Sequence, residues 1–353
     1  MRILFHLAHP AKFYLFRNVI NRLKVNNYHV DIIISPKDVL EDLIIQEGWK
    51  YTNLFPLGRL SFNKPSILLS ALRFITTILK LEKYLLMRKR FDIIVTDDAI
   101  VVNSLWRKSI SYFFVDNDIE TIKINKILLY FTDFIISPKV TNIGKFSYKK
   151  ISFFGNKAIA HINSKTFVPN KDFLSNYQLE EKKYIVVRTS KLNATHDINN
   201  NSGITDTNLE KIINYLIKKK YKIVIISERK LPKQFSEYII NIKPHEITDL
   251  LYYSKCFVGD SGSIATEACV LGTPAVLINK LSKKCGVFIE LETYNLMFLY
   301  EYFNDNIFTK LQSILIDESE FYVNKSKQYL SKCDDINELF YQLFTIKTHN
   351  AKN

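Results

Sequence analysis

No apolar run in this chain reaches the roughly 18 residues of a membrane-spanning helix. The opening Met1-Arg2-Ile3-Leu4-Phe5-His6-Leu7-Ala8-His9-Pro10 is broken by His6 and Pro10 before it could serve as a signal-peptide core, so a cytoplasmic location is expected. Only four cysteines occur, Cys256, Cys269, Cys285 and Cys333, with no CxxC pair and no ligand-like spacing to the seven histidines; buried reduced thiols are expected rather than a metal site. No zinc finger, basic zipper or RNP-type aromatic motif is present, and the lysines are scattered, which argues against nucleic acid as a partner. Glycine is scarce, nine in 353 residues, so each one marks a place where the backbone is under demand.

What the chain does have is an ordinary folded composition, 47% hydrophobic and 24% charged, long enough for two domains. Its formal charge of +14 favours anionic partners such as nucleotides, phosphorylated glycans and acidic lipid headgroups. Short β-branched runs at 3–8, 30–35, 92–96, 112–115 and 134–137 read as buried parallel strands. Helical spacing at 13–23, 37–47, 66–88 and 123–131 falls between them. A second series of strands, 184–188, 222–227, 256–258 and 275–278, starts the pattern over after a less periodic stretch at 156–182. These series predict an N-terminal domain over 1–165, a linker over 166–182, a C-terminal domain over 183–335, and a last helix within 336–353 that packs back on the first domain.

Three of the nine glycines, Gly259, Gly262 and Gly272, lie within fourteen residues. The stretch Cys256-Phe257-Val258-Gly259-Asp260-Ser261-Gly262-Ser263-Ile264-Ala265-Thr266-Glu267-Ala268 reads as strand, tight turn and helix. The amides of Gly262, Ser263 and Ile264 and the helix dipole would grip a diphosphate there. The hydroxyls of Ser261 and Ser263 would donate to its oxygens, and Glu267, about one turn on, would accept ribose hydroxyls. The plainer alternative is that Asp260 or Ser261 merely caps a helix. Gly272-Thr273-Pro274 reads as a helix-ending turn without ligand contact.

Further motifs carry a resemblance over nearly the whole chain: His9-Pro10-Ala11 with Phe16 and Asn18, then 125–138, 155–169, Arg188-Thr189-Ser190 with Ala194-Thr195-His196-Asp197, and 259–274. With these the chain resembles the GT-B superfamily of sugar-nucleotide enzymes, within it a prokaryotic family catalogued as a domain of unknown function, and is similar to the UDP-N-acetylglucosamine 2-epimerases. The resemblance implies an α/β, GT-B-like fold, two Rossmann-like domains facing across a cleft. It implies UDP as the nucleotide, held through 260–268, with Ser190, His196 and Asp197 as site residues and the loop of Pro244-His245-Glu246-Ile247 beside the base. Of the carboxylates that serve the sugar in those epimerases, Asp97 or Asp98 and Asp116 match the first two. The third is missing, because Thr121-Ile122-Lys123-Ile124 precede Asn125 and only Glu120 is near. Epimerisation needs groups that remove and return protons at the ring, so the departure favours glycosyl transfer, which needs leaving-group donors and one base.

His9 follows the first strand, and Asp97 and Asp98 follow another, at the sheet edge where such folds bind ligands; one of these three is the expected base. His6 reads as a satisfied core residue. Arg188, at the end of a strand, offers a planar fork to the departing diphosphate. Asp116-Asn117-Asp118 has DxD-like spacing but is expected to be sugar-side or structural, and no metal or other cofactor is expected. The stretch 66–90 mixes apolar residues with Arg73, Lys80, Lys83, Arg88, Lys89 and Arg90, which suits either peripheral contact with acidic membrane or a core helix with a solvated basic face. The expected activity is a UDP-sugar glycosyltransferase of surface polysaccharide or glycolipid assembly, its acceptor a glycan or lipid-linked glycan. A 2-epimerase-like isomerase or hydrolase, or a non-catalytic sugar-nucleotide binder, is the alternative.

Overall fold

Apolar runs too short for helices become strands throughout the chain, and every strand pair is parallel. The computed structural model describes residues 1–35, 39–56, 67–122, 125–162, 167–190 and 203–346. It divides into one unit of Met1–His161 with Asp334–Asn353 and a second of Ile162–Cys333.

The first unit runs β1 (Arg2–Leu7), α1 (Pro10–Val25), β2 (His29–Ile34), α2 (Leu40–Gln46), β3 (Thr52–Asn53), α3 (Ile67–Leu86), β4 (Ile93–Thr96), α4 (Asn103–Arg107), β5 (Ile110–Phe114), β6 (Phe134–Pro138) and β7 (Lys150–Phe153). Its seven-stranded sheet has the order β3-β2-β1-β4-β5-β6-β7. The winding therefore reverses between β1 and β4, and the carboxyl ends of those two strands form the crevice where open α/β sheets take ligands. Central β1 is fully buried at Ile3, Leu4, Phe5 and Leu7. His6, in the same strand, is a satisfied core residue: Nδ1 lies 3.1 Å from Thr96 Oγ1 and Nε2 2.9 Å from Ser35 Oγ.

α1 starts at Pro10, whose missing N–H costs nothing in the first turn, and ends with Arg22 and Lys24 beside its negative pole. It buries Phe13, Phe16, Val19, Ile20 and Leu23 at helical spacing. Residues 125–130, expected within an α-helix, form a 3₁₀ turn instead. The Lys149 ammonium ends it by taking the carbonyls of Leu129, Tyr130 and Thr132 at 3.1, 3.0 and 2.7 Å.

The second unit runs α5 (Phe173–Asn176), β8 (Tyr184–Thr189), α6 (Asp206–Lys218), β9 (Lys222–Ser227), α7 (Ile247–Tyr253), β10 (Cys256–Gly259), α8 (Gly262–Val270), β11 (Ala275–Ile278), α9 (Gly286–Thr293), β12 (Met297–Tyr300), α10 (Asn306–Ile316) and α11 (Ser319–Leu330). The order β12-β11-β10-β8-β9 puts its switch point between β8 and β10. Its core joins Ile185, Val187, Val258 and Val276 of the sheet to Leu209 and Ile213 of α6 and Ile307 and Leu311 of α10. Residues 167–182, expected to be linker, are tied into this unit. The Asn170 N–H donates to Asp249 at 2.7 Å, and the Tyr177 hydroxyl to Glu246 at 2.6 Å.

The last helix, α12 (Ile336–Thr345), belongs to the first unit. Phe340 packs tilted against Phe16 at 5.3 Å and Phe344 edge-to-face against Phe5 at 5.5 Å. Both rings are fully buried, a contribution of about 1.5–3 kcal/mol each. The Tyr112 hydroxyl donates to Leu343 O at 3.1 Å and anchors the helix end.

Candidate functional site

At the switch point of the second sheet, β10 ends at Gly259 and α8 begins at Gly262, leaving Asp260 and Ser261 as the turn. Asp260 faces inward, only 6% exposed. Its Oδ1 accepts from the Ser190 amide at 2.9 Å and the Ser190 hydroxyl at 2.7 Å, and its Oδ2 accepts from the Ile204 amide at 3.4 Å. Burial raises its pKa by more than these hydrogen bonds lower it. Asn279, just past β11, donates to the Asp260 carbonyl at 3.0 Å. Asp260 thus fastens the turn to the end of β8 and to the segment entering α6, and its oxygens are committed to that task.

The first intrahelical bond of α8 runs from the Ala265 amide to Ser261 O at 3.0 Å, so the amides of Gly262, Ser263 and Ile264 precede the ladder. Ser261 occupies the cap position, yet its side chain makes no capping bond, and the first turn of α8 holds no acidic residue. Among the described residues no capping side chain or first-turn acid takes up the positive end of the helix dipole, an arrangement that suits an anion. A Cβ on Gly262 would lie 2.3 Å from Phe288 Cζ, so the half-buried Phe288 ring of α9 would have to shift to admit a side chain there. Gly272 is demanded by its backbone, at φ +81°, and by a Cβ that would fall 2.9 Å from Val323 Cα of α11. Glu267 is half-buried in the second turn of α8.

Arg188 closes β8 on the same edge and is ion-paired with Glu228, the residue after β9. Its Nε is buried and has no hydrogen-bond partner among the described residues. Arg229 braces the neighbouring segment through Asp206 at 2.5 Å and Ile204 O at 3.2 Å. His245 is exposed in the 3₁₀ turn ahead of α7. His196 and Asp197 lie outside the described residues.

At the switch point of the first sheet, His9 caps α1: its Nδ1 accepts from the Ala11 amide at 3.1 Å. In the neutral ring this puts the proton on Nε2, a donor rather than a base in this conformation. Asp98 is also a cap, accepting from the Ala99 amide at 2.6 Å, while its own amide donates to Thr96 Oγ1. Asp97 stands apart. Its Oδ2 is 3.3 Å from Lys12 Nζ, and its Oδ1 is buried with no hydrogen-bond partner among the described residues. Lys12 is itself nearly buried and lies 4.3 Å over the Phe114 ring.

Asp116, beyond β5, pairs with Lys157 at 2.7 Å. Burial alone would raise its carboxyl, but the charges of Lys157 and Lys12 and the hydrogen bond from Lys157 overcome it and hold the pKa at about 2. Lys157 begins a short turn whose cap, buried Asn156, accepts from the Ala158 amide at 2.9 Å. Asn18 of α1 reaches that turn at Ala160 O, 2.6 Å away, and the Tyr14 ring lies 4.9 Å from His161. Asp118 accepts from the Asn142 amide at 2.8 Å, so the two acids of the DxD-like spacing serve different partners. Among the described residues no group of three or more His, Cys, Asp or Glu is placed to hold a metal ion. The sequence reading passed over Lys12, Lys157, Asn279 and Glu228, whose importance depends on contacts far away in the chain.

The model of a family described as "Protein of unknown function (DUF354)" matches residues 105–287. No curated protein matches the chain in sequence. Solved structures match over nearly its whole length. A Staphylococcus aureus MnaA–UDP co-structure shares 13% identity with TM-score 0.67, covering 98% of each chain. The UDP-GlcNAc 2-epimerase of Methanocaldococcus jannaschii, in complex with UDP-GlcNAc and UDP, shares 14% identity with TM-score 0.67 over 90% of this chain and 94% of that one. The glycotransferase of kitacinnamycin shares 8% identity with TM-score 0.62 over 97% and 98%. At such identities the likeness is one of fold: an α/β, GT-B-like architecture of parallel sheets.

Proposed function

The chain belongs to the DUF354 family of proteins of unknown function, and we propose that it is a nucleotide-sugar enzyme, a glycosyltransferase that uses a UDP-sugar. The observation that carries this reading is the start of α8: three amides ahead of the helical ladder, no acid in the first turn, and a turn locked by buried Asp260. Fixed amides and a helix dipole suit a diphosphate. UDP as the nucleotide is supported by structures of similar fold whose own ligands are UDP and UDP-GlcNAc.

In this reading the second unit holds the donor. The amides of Gly262, Ser263 and Ile264 and the hydroxyls of Ser261 and Ser263 take the diphosphate, Glu267 the ribose, and the loop of His245 the base. Ser190 serves through Asp260, and His196 and Asp197 keep the donor-side role that the family resemblance implies. As the bond from the anomeric carbon to the diphosphate breaks, Arg188 and the amides take up the charge left on UDP. The reaction therefore needs no metal or other cofactor.

The first unit supplies the base. Asp97 is the best placed of the three candidates, because His9 and Asp98 are spent on caps while Asp97 Oδ1 is a buried acceptor without a partner among the described residues. It takes the proton of the attacking acceptor hydroxyl, with Lys12 fixing its orientation. Asp116, held ionised by Lys157, is too weak a base to exchange protons at a sugar carbon, which favours transfer over epimerisation. The acceptor we propose is a glycan or lipid-linked glycan of surface polysaccharide or glycolipid assembly, met in the cytoplasm.

Calorimetry with UDP, GDP, CDP and ADP tests the donor site, with UDP expected to bind tightest. No binding of any nucleoside diphosphate would end the proposal. Incubation with UDP-sugars and acceptors is then expected to release UDP only when acceptor is present. Entry of solvent deuterium at sugar C2 without acceptor would establish the epimerase reading instead, and acceptor-independent release without label would establish hydrolysis.

A further inference from the structure

The first unit exposes an apolar surface that its own core does not use. α3 packs Thr77, Leu81, Tyr84 and Leu85 inward, yet leaves Leu72, Ile75, Leu79 and Leu86 exposed at 45, 53, 61 and 70%. Spacings of three, four and seven residues put these four on one stripe, about 21 Å long at the helical rise of about 1.5 Å per residue. α3 therefore has two apolar faces, of which one is covered. Met87, Leu105 and Trp106, all more than half exposed or nearly so, lie at the end of the stripe.

Cations surround this surface. Lys80, Lys83, Arg88, Lys89 and Arg90 are exposed on or just beyond α3. Residues 88–90 rim a cavity of about 210 Å³ whose walls include Leu85, Phe91 and Trp106. Arg88 is held in place, 3.6 Å over the Tyr84 ring and donating to Tyr84 O at 3.1 Å. Glu82, the carboxylate of this helix, is taken up by Asn103, Trp106 and Arg107. The surface is thus apolar along its middle and positive along its margin.

We infer that this surface docks on an anionic lipid bilayer, with α3 lying in the membrane plane, its leucine stripe among the upper acyl chains and its cations among the headgroups. A second copy of the chain would bring the same five cations and no free carboxylate to match them, so charge complementarity favours the lipid. The helix lies on the bilayer rather than through it: among the described residues no helix is long and apolar enough to cross. α3 lies between β3 and β4 in the chain order and packs against the turn at 99–102, within the first unit. The inference stands whether or not the chain transfers sugars.

Flotation of the full chain with vesicles tests it. The protein is expected to float with phosphatidylcholine containing a third phosphatidylglycerol, to remain behind with phosphatidylcholine alone, and to be released by high salt. The triple variant R88S/K89S/R90S is expected to weaken partitioning roughly a hundredfold and L79S/L86S at least about tenfold. Lys89, Arg90, Leu79 and Leu86 are exposed, so thermal unfolding should be unchanged in L79S/L86S and in K89S/R90S, a control that spares the Arg88 contacts with Tyr84 and is expected to weaken partitioning at least about tenfold. Absence of flotation with the anionic vesicles, or flotation that none of the variants reduces, would overturn the inference. So would a dimer in light scattering that L79S/L86S dissociates, accompanied by no vesicle binding.

Discussion

At its switch point the second unit presents backbone amides and one tethered arginine, whereas the first presents side-chain charges held as lysine–carboxylate pairs. In the second, the carboxylate nearest the turn is turned inward to hold backbone, and what faces outward is the fixed dipole of α8. In the first, Asp97 and Asp116 each meet a lysine, and Lys12 influences both. Fixed dipoles suit a group whose charge does not change in kind, such as a diphosphate. Paired side chains suit a place where protons move, because a small shift in geometry or pH changes what they offer. A binding half and a reacting half would differ in this manner.

The comparison breaks most easily at Asp260. Replacing it with alanine leaves the buried Ile204 amide and the half-buried Ser190 amide and hydroxyl without their acceptor, and D260A is expected to cost about 3 kcal/mol in urea unfolding. A cost below about 1 kcal/mol would mean that the turn holds itself, and that Asp260 is free to serve a ligand. The next largest effect is on affinity. Ser263 lies at the second position of α8, where an added carboxylate steadies the helix by about 0.3–1 kcal/mol but repels a diphosphate. S263D is expected to weaken UDP binding on the order of a hundredfold, with no fall in thermal stability. S263A should change affinity only a few-fold, since the amide and not the hydroxyl is the main donor. Equal losses in the two variants would assign the grip to the side chain.

The acid limb of stability sharpens the contrast, because the two units' carboxylates shift in opposite directions. Asp116 is lowered from 3.8 to about 2, so its contribution is fully present above about pH 4 and is lost as pH falls through about 2. The size is about 2 kcal/mol, and D116N should be less stable than the parent by that amount at neutral pH, the gap closing in acid. Asp260 is raised, so its ionised form is disfavoured in the folded chain and that penalty fades as pH falls through its folded pKa. Urea midpoints of the parent and D116N from pH 7 down to pH 2 check the first sign. A gap that widens in acid would show that Lys157 does not stabilise the Asp116 carboxylate.

The parts of this design that were legible in the sequence are those written in local pattern. The glycine cluster between a strand and a helix marks the turn at 259–262, and alternating strand and helix periods mark both sheets. What was not legible depends on direction or on distance along the chain. Asp260 reads as a ligand contact because residue type says nothing of which way a carboxylate points. Lys12 and Lys157 are two among 49 basic residues, and only the fold brings them to Asp97 and Asp116. Gly262 reads as backbone under demand, but that a side chain there would meet the ring of Phe288, 26 positions on, is not legible. β3, β7 and β12 escape because two to four residues are too few to show a period. The basic character of α3 was visible, but not that its second apolar face would be left uncovered.

The smallest effect tests whether the tethered arginine belongs to the binding half. The Arg188–Glu228 pair joins a guanidinium 14% exposed to a carboxylate 40% exposed, and so contributes less than about 1 kcal/mol. A diphosphate that recruits Arg188 must first displace Glu228. E228Q removes that competition, and UDP affinity is expected to rise about threefold, with stronger salt dependence, while R188A abolishes the gain when the two are combined. If E228Q lowers affinity instead, Glu228 itself contacts the nucleotide, and the second unit would share with the first the use of a side-chain carboxylate at its site.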